Sequence, residues 1–206
     1  DVACGTGQVS RYLSQRGASV TAVDVSPDML RVALAVTGDL KVVLLRQDMR
    51  YLCLPHRVNL IICATDSLNY LHCEKDIRRA FLSFYSNLIP GGYVLFDMNT
   101  IWQLQEGSDI EPWDFEVEGE SMRWISEWDE PSRTASLQLI FLNSRGESGV
   151  PLSEIHRERA YPQHWIEEEL VKVGFVGIAA LDASGLGKVG ERTRRIQFVA
   201  RKADRY

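Results

Sequence analysis

Short apolar runs alternate with stretches of helical period along the first 100 residues of the chain. The runs have the length of strands, and the stretches between them repeat apolar residues every three or four positions. Predicted strands cover residues 19–23, 41–45, 58–64 and 93–97, and predicted helices cover residues 8–16, 27–38 and 74–88. The run at 58–64 is almost wholly apolar, as expected of a strand buried on both faces. This alternation predicts a parallel sheet with helices on both of its faces.

The pattern changes between residues 102 and 160. Helical period disappears there, and aromatic and β-branched residues predominate. Residues 122–128 and 134–142 are predicted strands on either side of a turn at residues 129–132, and residues 153–161 are a candidate third strand. Since long insertions at the functional edge of a sheet usually serve function, we interpret residues 102–160 as an antiparallel insertion that caps the substrate.

Helical period returns at residues 162–173, and residues 175–181 and 195–200 are predicted as the last two strands. Together these elements predict one domain over residues 1–206, with a doubly wound α/β fold whose sheet has seven strands, most of them parallel. The sequence starts at Asp1, at the end of the predicted first strand, so we expect the rest of that strand to lie upstream in a longer protein. The arginine and lysine residues at 192–202 are interpreted as an exposed edge strand and tail.

Composition narrows the class of partner. The formal net charge is −5 at pH 7, which does not favour a nucleic-acid partner. No apolar stretch approaches the roughly 18 residues that a membrane span needs, so no membrane partner is expected. The four cysteines form no C-x-x-C pair, which indicates neither a metal site nor a disulfide framework and favours a reducing cytoplasm.

A glycine-containing loop, D-V-A-C-G-T-G, joins the first predicted strand to the first helix. Gly5 and Gly7 allow the backbone to turn sharply and to approach a ligand closely. The carboxylate of Asp1 suits a cationic ligand group, whereas it would repel a pyrophosphate. Ser10 stands where the dinucleotide-binding pattern requires glycine or alanine. These two residues, together with the pair Asp48–Met49, argue against a nicotinamide oxidoreductase, the main alternative for this type of sheet.

Two further aspartates end the next two predicted strands. Asp24 has the position from which an acidic side chain binds both ribose hydroxyls, in nucleotide or adenosylmethionine enzymes alike. Asp48 is followed by Met49, a pair that suits an exocyclic amine beside apolar packing on a base. Because open α/β sheets bind ligands outside the carboxyl ends of their strands, we expect Asp1, Asp24 and Asp48 to lie at one site.

These motifs belong to an ordered series that extends to residue 100. In order they are D-V-A-C-G-T-G at 1–7, V-D-V-S-P-D-M-L at 23–30, Q-D-M at 47–49, A-T-D-S-L-N-Y-L at 64–71 and L-I-P-G-G-Y-V-L-F-D-M-N-T at 88–100. The series resembles that of class I S-adenosylmethionine-dependent methyltransferases, within them the small-molecule group that includes glycine and amino-sugar N-methyltransferases. The segment H-R-E-R-A-Y-P at 156–162 resembles the part of the family that follows the insertion. Asn59 departs from the aspartate often found at its position.

The resemblance implies a Rossmann-like fold, S-adenosylmethionine as cofactor and a set of binding residues. By this resemblance Ala3, Gly5 and Gly7 would surround the methionyl part, with Asp1 near its ammonium group. The adenosine residues would be Asp24 at the ribose, Val25, Met29 and Met49 against the adenine, and Asp48 at its amine. Ala64 and Thr65 would line the path to the sulfonium.

The residues on the acceptor side are predicted from their places after the strands and at the end of the insertion. We expect Asp66, Tyr70, Asn99 and Arg159 to bind the substrate, and His156, Tyr161 and Asn69 to act in catalysis. A base is needed only if the nucleophile arrives protonated. The alternatives are a surface role for His156, a salt bridge within the insertion for Arg159 and hinge packing for Tyr161 beside Pro162.

The predicted reaction is in-line methyl transfer to a nitrogen or oxygen atom of a small molecule. Two alternatives remain open from the sequence. One is a methyltransferase that acts on RNA or protein, and the other is a degenerate, non-catalytic domain that serves as a partner protein.

Overall fold

A computed structural model gives the structure of the chain and describes residues 1–108, 110–145, 151–185 and 187–204. The helices are α1 Gln8–Gln15, α2 Pro27–Thr37, α3 Glu74–Asn87, α4 Ile101–Glu106 and α5 Gln163–Val173. The strands are β1 Val20–Asp24, β2 Val42–Arg46, β3 Val58–Cys63, β4 Leu88–Asn99, β5 Trp113–Val117, β6 Glu120–Asp129, β7 Thr134–Arg145, β8 Pro151–Arg159, β9 Phe175–Asp182 and β10 Arg195–Lys202. Short 3-10 helices lie at Met49–Tyr51 and Ser67–Tyr70.

The strands outside the insertion form two sheets. β1 and β2 pair in parallel, and a second sheet has the order β3-β4-β10-β9. β3 and β4 are parallel, whereas β10 is antiparallel to both β4 and β9. The first residues of the chain join the two sheets, since Val2 forms a parallel bridge with Val23 and its amide donates to the carbonyl of Ile62 at 2.7 Å.

The prediction of one seven-stranded, mostly parallel sheet is therefore met only in part. Among the described residues, six strands belong to the two sheets, and half of their ladder pairings are antiparallel. The predicted first strand is present as the bridge at Val2 alone, because a segment this short cannot form a ladder of its own. The alternation of strands and helices that led to the prediction is confirmed along residues 8–100.

Four of the helices pack in two pairs. α1 and α2 contact each other, and both contact the strands β1 and β2. α3 and α5 also contact each other. In addition, α3 contacts β4, and α5 contacts β9. The largest buried side chains lie between this second pair and its sheet. Phe96 of β4 stacks on Phe198 of β10 with ring centroids 5.0 Å apart, and Phe81 of α3 lies 5.5 Å from Phe96. All three rings are fully or almost fully buried.

The strands β5, β6, β7 and β8 form a separate antiparallel sheet, in which they pair in sequence order. The sequence predicted strands within this region, but it missed β5. It was also wrong in expecting no helix there, because α4 follows β4 directly. The Thr100 hydroxyl caps α4 by accepting the amide of Gln103 at 3.1 Å. A helix of six residues is too short to show a clear period.

The end of α3 also differs from the prediction. The helix ends at Asn87, and β4 begins at once with Leu88, so that the P-G-G turn lies within the strand. The register moves from Val58 opposite Leu88 to Leu60 opposite Tyr93, and the extra residues form an irregularity in the ladder. In the described part of the chain, no helix has both the length and the apolar character needed to cross a membrane.

Candidate active site

The loop that precedes α1 has an unusual backbone. Ala3, Gly5 and Gly7 have positive φ angles of 54°, 51° and 79°. This conformation is costly for a residue with a Cβ such as Ala3, and strain of this type concentrates at functional sites. At Gly7 an added Cβ would lie 3.0 Å from the Cβ of Ala33 in α2, so the absence of a side chain allows α1 to begin against α2.

Asp24 fixes this loop from the end of β1. Its side chain is buried, with Oδ2 accepting the amide of Gly5 at 2.8 Å and Oδ1 accepting the amide of Ser26 at 2.9 Å. Ser26 in turn caps α2 by accepting the amide of Met29 at 3.3 Å. Each carboxylate oxygen can accept a second hydrogen bond. Asp24 therefore links the loop to α2 and keeps the capacity to bind two hydroxyl groups.

Asp1 is held by the residue that departs from the dinucleotide pattern. The hydroxyl of Ser10, which is fully buried at the start of α1, donates to Oδ2 of Asp1 at 2.5 Å. A glycine or alanine at position 10 would leave this carboxylate without its donor. The departure at Ser10 thus has a structural function beside the loop.

A cleft of about 220 Å³ opens beside this loop. Five predicted cofactor residues line it, namely Ala3, Asp24, Val25, Asp48 and Met49, together with Tyr70 from the predicted substrate set. Val25 is 62% exposed, and Met29, outside the cleft lining, is 45% exposed. The structure does not place Asp1, Gly5, Gly7, Ala64 and Thr65 in the lining of this cleft.

Asp48 is ion-paired with Arg50, a contact that the sequence did not indicate. Arg50 donates to both of its oxygens, from Nε at 3.0 Å and from Nη2 at 2.6 Å, and the hydrogen bonds from Arg50 lower the pKa of this carboxyl. Nη1 of Arg50 also binds Asp76 of α3 at 2.7 Å. Asp48 therefore lies in the cleft as part of an ion-paired group, and not as a free carboxylate.

A strained turn follows β3 on the other side of the site. Thr65 and Asp66 have positive φ angles of 61° and 50°. Their amides donate to the two oxygens of Asp97, at 2.7 Å and 3.1 Å. Arg195 of β10 binds both Asp97, at 3.0 Å, and Asp66, at 3.1 Å. Asp97 and Arg195 thus hold Thr65 and Asp66 in this conformation.

The sequence analysis did not predict Asp97 or Arg195 as site residues. A sequence pattern could have identified Asp97, because it ends a predicted strand, as Asp24 and Asp48 do. Arg195 had none, because it was one of several cations interpreted as an exposed edge and tail. Its function depends on β10 lying beside β4, which a single sequence does not reveal.

Asn99, predicted to bind substrate, connects two carboxyl groups. Its Nδ2 donates to Oδ2 of Asp66 at 2.7 Å and to Oε2 of Glu158 at 2.8 Å. Burial raises the pKa of both carboxyls. Glu158 was not predicted, although it lies in the H-R-E-R-A-Y-P segment. The structure thus brings the ends of β3, β4 and β8 together at Asn99.

Three other predicted residues each hold the backbone through at least one polar group. Asn69 is fully buried, accepts the amide of Asn99 at 2.9 Å and donates to the carbonyls of Asn99 at 3.1 Å and Arg159 at 3.0 Å. The Tyr161 hydroxyl donates to the carbonyl of Leu71. Nη1 of Arg159 donates to the carbonyl of His72 at 2.8 Å. This placement favours a positioning function for Asn69, Tyr161 and Arg159 over contact with reacting atoms.

His156 lines one cavity and contacts a residue that lines the other. Its Nδ1 is 3.3 Å from the hydroxyl of Tyr70, and its Nε2 is 3.4 Å from Oε2 of Glu154. Tyr70 lines the cleft described above, whereas His156 lines a second cavity of about 150 Å³ together with Asn99, Trp124 and Glu158. The contact between Tyr70 and His156 therefore joins a residue of one cavity lining to a residue of the other. Among the described residues, no group of histidine, cysteine and acidic side chains is arranged to hold a metal ion.

The known proteins that are similar in sequence to this chain have the names of methyltransferases. The family described as "Methyltransferase domain" matches residues 1–92. The YqeM protein of Bacillus subtilis (strain 168), whose name assigns it to the methyltransferases, is 30% identical over 177 residues, which make up 85% of this chain and 72% of that protein. The dTDP-3-amino-3,6-dideoxy-alpha-D-glucopyranose N,N-dimethyltransferase of Streptomyces fradiae is 32% identical over 97 residues, 47% of this chain and 37% of that protein.

Solved structures are similar over almost the whole chain. The crystal structure of an S-adenosylmethionine-dependent methyltransferase from Clostridium acetobutylicum ATCC 824 has a TM-score of 0.86 and 28% sequence identity, and the match covers 98% of this chain and 82% of that one. This likeness confirms the predicted Rossmann-like fold. The relatives confirm the resemblance to methyltransferases that the motif series indicated. The relative from Streptomyces fradiae also confirms the predicted similarity to amino-sugar N-methyltransferases.

Proposed function

Because the chain belongs to the S-adenosylmethionine-dependent methyltransferases, we propose that it binds S-adenosylmethionine and transfers the methyl group to a nitrogen or oxygen atom of a small molecule by in-line displacement. The observation that carries the proposal is the cleft at the carboxyl ends of β1 and β2, where Ala3, Asp24, Val25, Asp48 and Met49 meet. Open α/β sheets bind their ligands at this edge.

The residues of the cleft and of the segments beside it fit the cofactor. Asp24 has lone pairs left for the two ribose hydroxyls, and the exposed side chains of Val25 and Met29 offer apolar surface to the adenine. Asp48, with its oxygens oriented by Arg50, faces the adenine amine beside Met49. The loop of Ala3, Gly5 and Gly7 surrounds the methionyl part, with Asp1 at the ammonium group. Ala64 and Thr65 lie towards the sulfonium.

When bound, the cofactor supplies an electrophilic methyl group on a sulfonium. The chain then has to hold the nucleophile in line with that methyl group, an effect worth up to about 7–11 kcal/mol of barrier in the most favourable cases. The contact between Tyr70 and His156 joins the cofactor cleft to the second cavity, which we assign to the acceptor. The insertion provides β8 as one wall of that cavity and so acts as a substrate cap.

The acceptor-side residues divide into two functions. His156 is the base for a nucleophile that arrives protonated, while Asp66, Asn99 and Tyr70 bind the acceptor. Asn69, Tyr161 and Arg159 position the backbone around them through the contacts to Asn99, Leu71 and His72. We place the reaction in the cytoplasm, because all four cysteines are free thiols and a reducing compartment keeps them so.

The test is a calorimetric titration of the full-length protein with S-adenosylmethionine, with NADH titrated in parallel. We expect S-adenosylmethionine to bind and NADH not to bind. The variant Asp24→Asn should weaken binding of S-adenosylmethionine at least about tenfold, because the amide accepts at one oxygen only and a charge-assisted contact is lost. Asp28→Asn is the matched control, since this aspartate is 78% exposed at the start of α2.

Two results of this titration would contradict the proposal, each in a different way. Equal weakening by Asp24→Asn and Asp28→Asn would mean that the cleft is not the site. Binding of NADH instead of S-adenosylmethionine would show that the glycine loop is a dinucleotide site. Thermal unfolding of each variant, measured alongside, separates loss of binding from loss of folded protein.

A further inference from the structure

One face of the sheet formed by β5 to β8 lines the second cavity and continues past it. Ser126, Leu137 and His156, which all line the cavity, lie opposite one another in the ladders of β6, β7 and β8. Side chains alternate between the two faces of a strand, so every second residue counted from these three lies on the same face. This face, which we call the inner face, therefore extends beyond the cavity along each strand.

Two rows of cross-strand partners follow on the inner face. The first row consists of Trp113, Trp124, Leu139 and Glu154. The second row consists of Phe115, Met122, Phe141 and Leu152. Since a strand advances about 3.4 Å per residue, the two rows lie roughly 7 Å and 14 Å from His156 along β8.

The apolar surface of these rows starts at the wall of the cavity. Trp124 lines the cavity, and the ring centroid of Trp113 lies 6.2 Å from that of Trp124 and 4.7 Å from that of Phe115. At the far end, Trp113 is 46% exposed and Leu152 is 49% exposed. Single exposed apolar side chains are normal, whereas a contiguous apolar patch marks a binding surface. The two rows are such a patch, and they continue the cavity.

The charges of the sheet indicate what the patch binds. Among the strand residues 113–117, 120–129, 134–141 and 152–159, the arginines alternate onto the outer face, and the charged residues of the inner face are acidic. Two of them, Glu120 and Glu154, are exposed beside the patch. Two copies packed inner face to inner face would bring these carboxylates together without a cation of that face to pair with them. An uncharged apolar group meets no such repulsion.

We propose that the methyl acceptor is an amphiphilic small molecule. Its polar end, with the nitrogen or oxygen that receives the methyl group, occupies the second cavity, and an uncharged aryl or alkyl group lies on the two rows, about 7–14 Å away. This inference rests on the proposed function and adds a second subsite to it. The cavity of about 150 Å³ holds a group of roughly the size of benzene, so a longer molecule extends beyond it along the inner face.

The experiment compares two neutral alcohols, benzyl alcohol and 6-phenylhexan-1-ol, on the full-length protein saturated with S-adenosylhomocysteine. Both have the same polar group and the same ring, but only the longer chain brings the ring onto the two rows while the hydroxyl lies in the cavity. Ligand-observed NMR measures both affinities. We expect the longer alcohol to bind at least about tenfold more tightly, because its chain and ring are removed from water on the inner face.

Two variants compare the two faces of β8. Leu152→Ser, on the inner face, should weaken binding of 6-phenylhexan-1-ol roughly threefold to fivefold and leave that of benzyl alcohol unchanged. Ile155→Ser is the matched control, because this side chain is 56% exposed on the outer face of the same strand. It should leave both affinities unchanged.

Methionine methyl signals locate the two ligands on ¹³C-labelled protein. Met49 lines the cofactor cleft, and Met122 lies in the second row of the inner face. We expect S-adenosylhomocysteine to shift the signal of Met49 and 6-phenylhexan-1-ol to shift that of Met122. The variants Met49→Leu and Met122→Leu assign the two signals.

The cofactor experiments are done first, on the same preparations. If the cofactor does not bind, the proposed function fails, and this inference fails with it. If the cofactor binds but the longer alcohol leaves Met122 unshifted, or Leu152→Ser and Ile155→Ser weaken its binding equally, the proposed function stands and the second subsite is overturned. Sedimentation velocity that finds a dimer which Leu152→Ser dissociates would also overturn it, because the inner face would then be an interface between two copies.

Discussion

Two aspartates, one at the end of β1 and one near the end of β4, have a similar structural function. Each carboxylate accepts two backbone amides: Asp24 those of Gly5 and Ser26, and Asp97 those of Thr65 and Asp66. The loops contain positive φ angles at residues other than glycine, which are stable only where their surroundings fix them. The geometry of the site therefore depends on two buried carboxylates that fix the backbone of the loops around it.

The first prediction concerns Asp97. Asp97→Asn replaces one acceptor oxygen by a donor that faces an amide or Arg195, so we expect a loss of about 1–3 kcal/mol in the free energy of unfolding. The control is Asp114→Asn, because the Asp114–Arg123 pair is about half exposed and such pairs contribute roughly 1 kcal/mol or less. Urea unfolding measures both. Equal losses in the two variants would contradict the function given to Asp97.

The second prediction concerns pH and Glu158. Burial raises its pKa in the folded protein above the ordinary 4.5, so the folded state binds this proton more tightly than the unfolded state. The stability contributed by the proton is present below pH 4.5 and is lost as pH rises through the folded pKa. Glu158→Gln cannot lose it, so the stability of the variant relative to wild type should increase with pH above 4.5. Thermal unfolding at a series of pH values would disprove this if the difference stayed constant.

At the scale of elements, the contact between α1 and α2 depends on Gly7. Gly7→Ala introduces a Cβ at 3.0 Å from the Cβ of Ala33 and also requires alanine to adopt a φ of 79°. Gly17→Ala is a control for the backbone alone, because its φ is 88° and nothing lies within 4 Å of an added Cβ.

We expect Gly17→Ala to cost about 1–2 kcal/mol through its backbone angle. Gly7→Ala should cost roughly a further 1–3 kcal/mol through the steric overlap with Ala33. Chemical denaturation of the two variants checks the difference. Equal costs would mean that α1 and α2 separate easily, and that Gly7 is needed for its backbone angle alone.

Most elements could be predicted because their signals are local. The strands from β1 to β4 and the helices α1, α2 and α3 each combine a period with a boundary such as Pro27 or Gly38. α4 could not be predicted, because its period is too short and the Thr100 cap was not distinctive. The sequence did not indicate the early start of β4 at Leu88, since it depends on pairing with a neighbouring strand.

At the scale of the whole molecule, the site is built from two parts of different predictability. The proposed cofactor side lies at successive strand ends, so Asp24, Asp48 and Met49 could be predicted one by one. The proposed acceptor side depends on where the insertion lies against β4. Its sheet brings His156 and Glu158 to Tyr70 and Asn99 across more than 50 positions of the sequence, and no local pattern reports such a distance. Glu158 was missed for this reason, and Arg195 was missed because its contacts depend on β10 lying beside β4.

The most direct test of the account is a crystal structure of the full-length protein with S-adenosylhomocysteine. We expect the ribose hydroxyls on the carboxylate of Asp24 and the adenine between Val25 and Met49. The sulfur should point past Tyr70 towards the cavity of His156 and Glu158. A ligand bound with its ribose away from Asp24, or with its sulfur turned away from that cavity, would contradict the assignment of the two cavities to cofactor and acceptor.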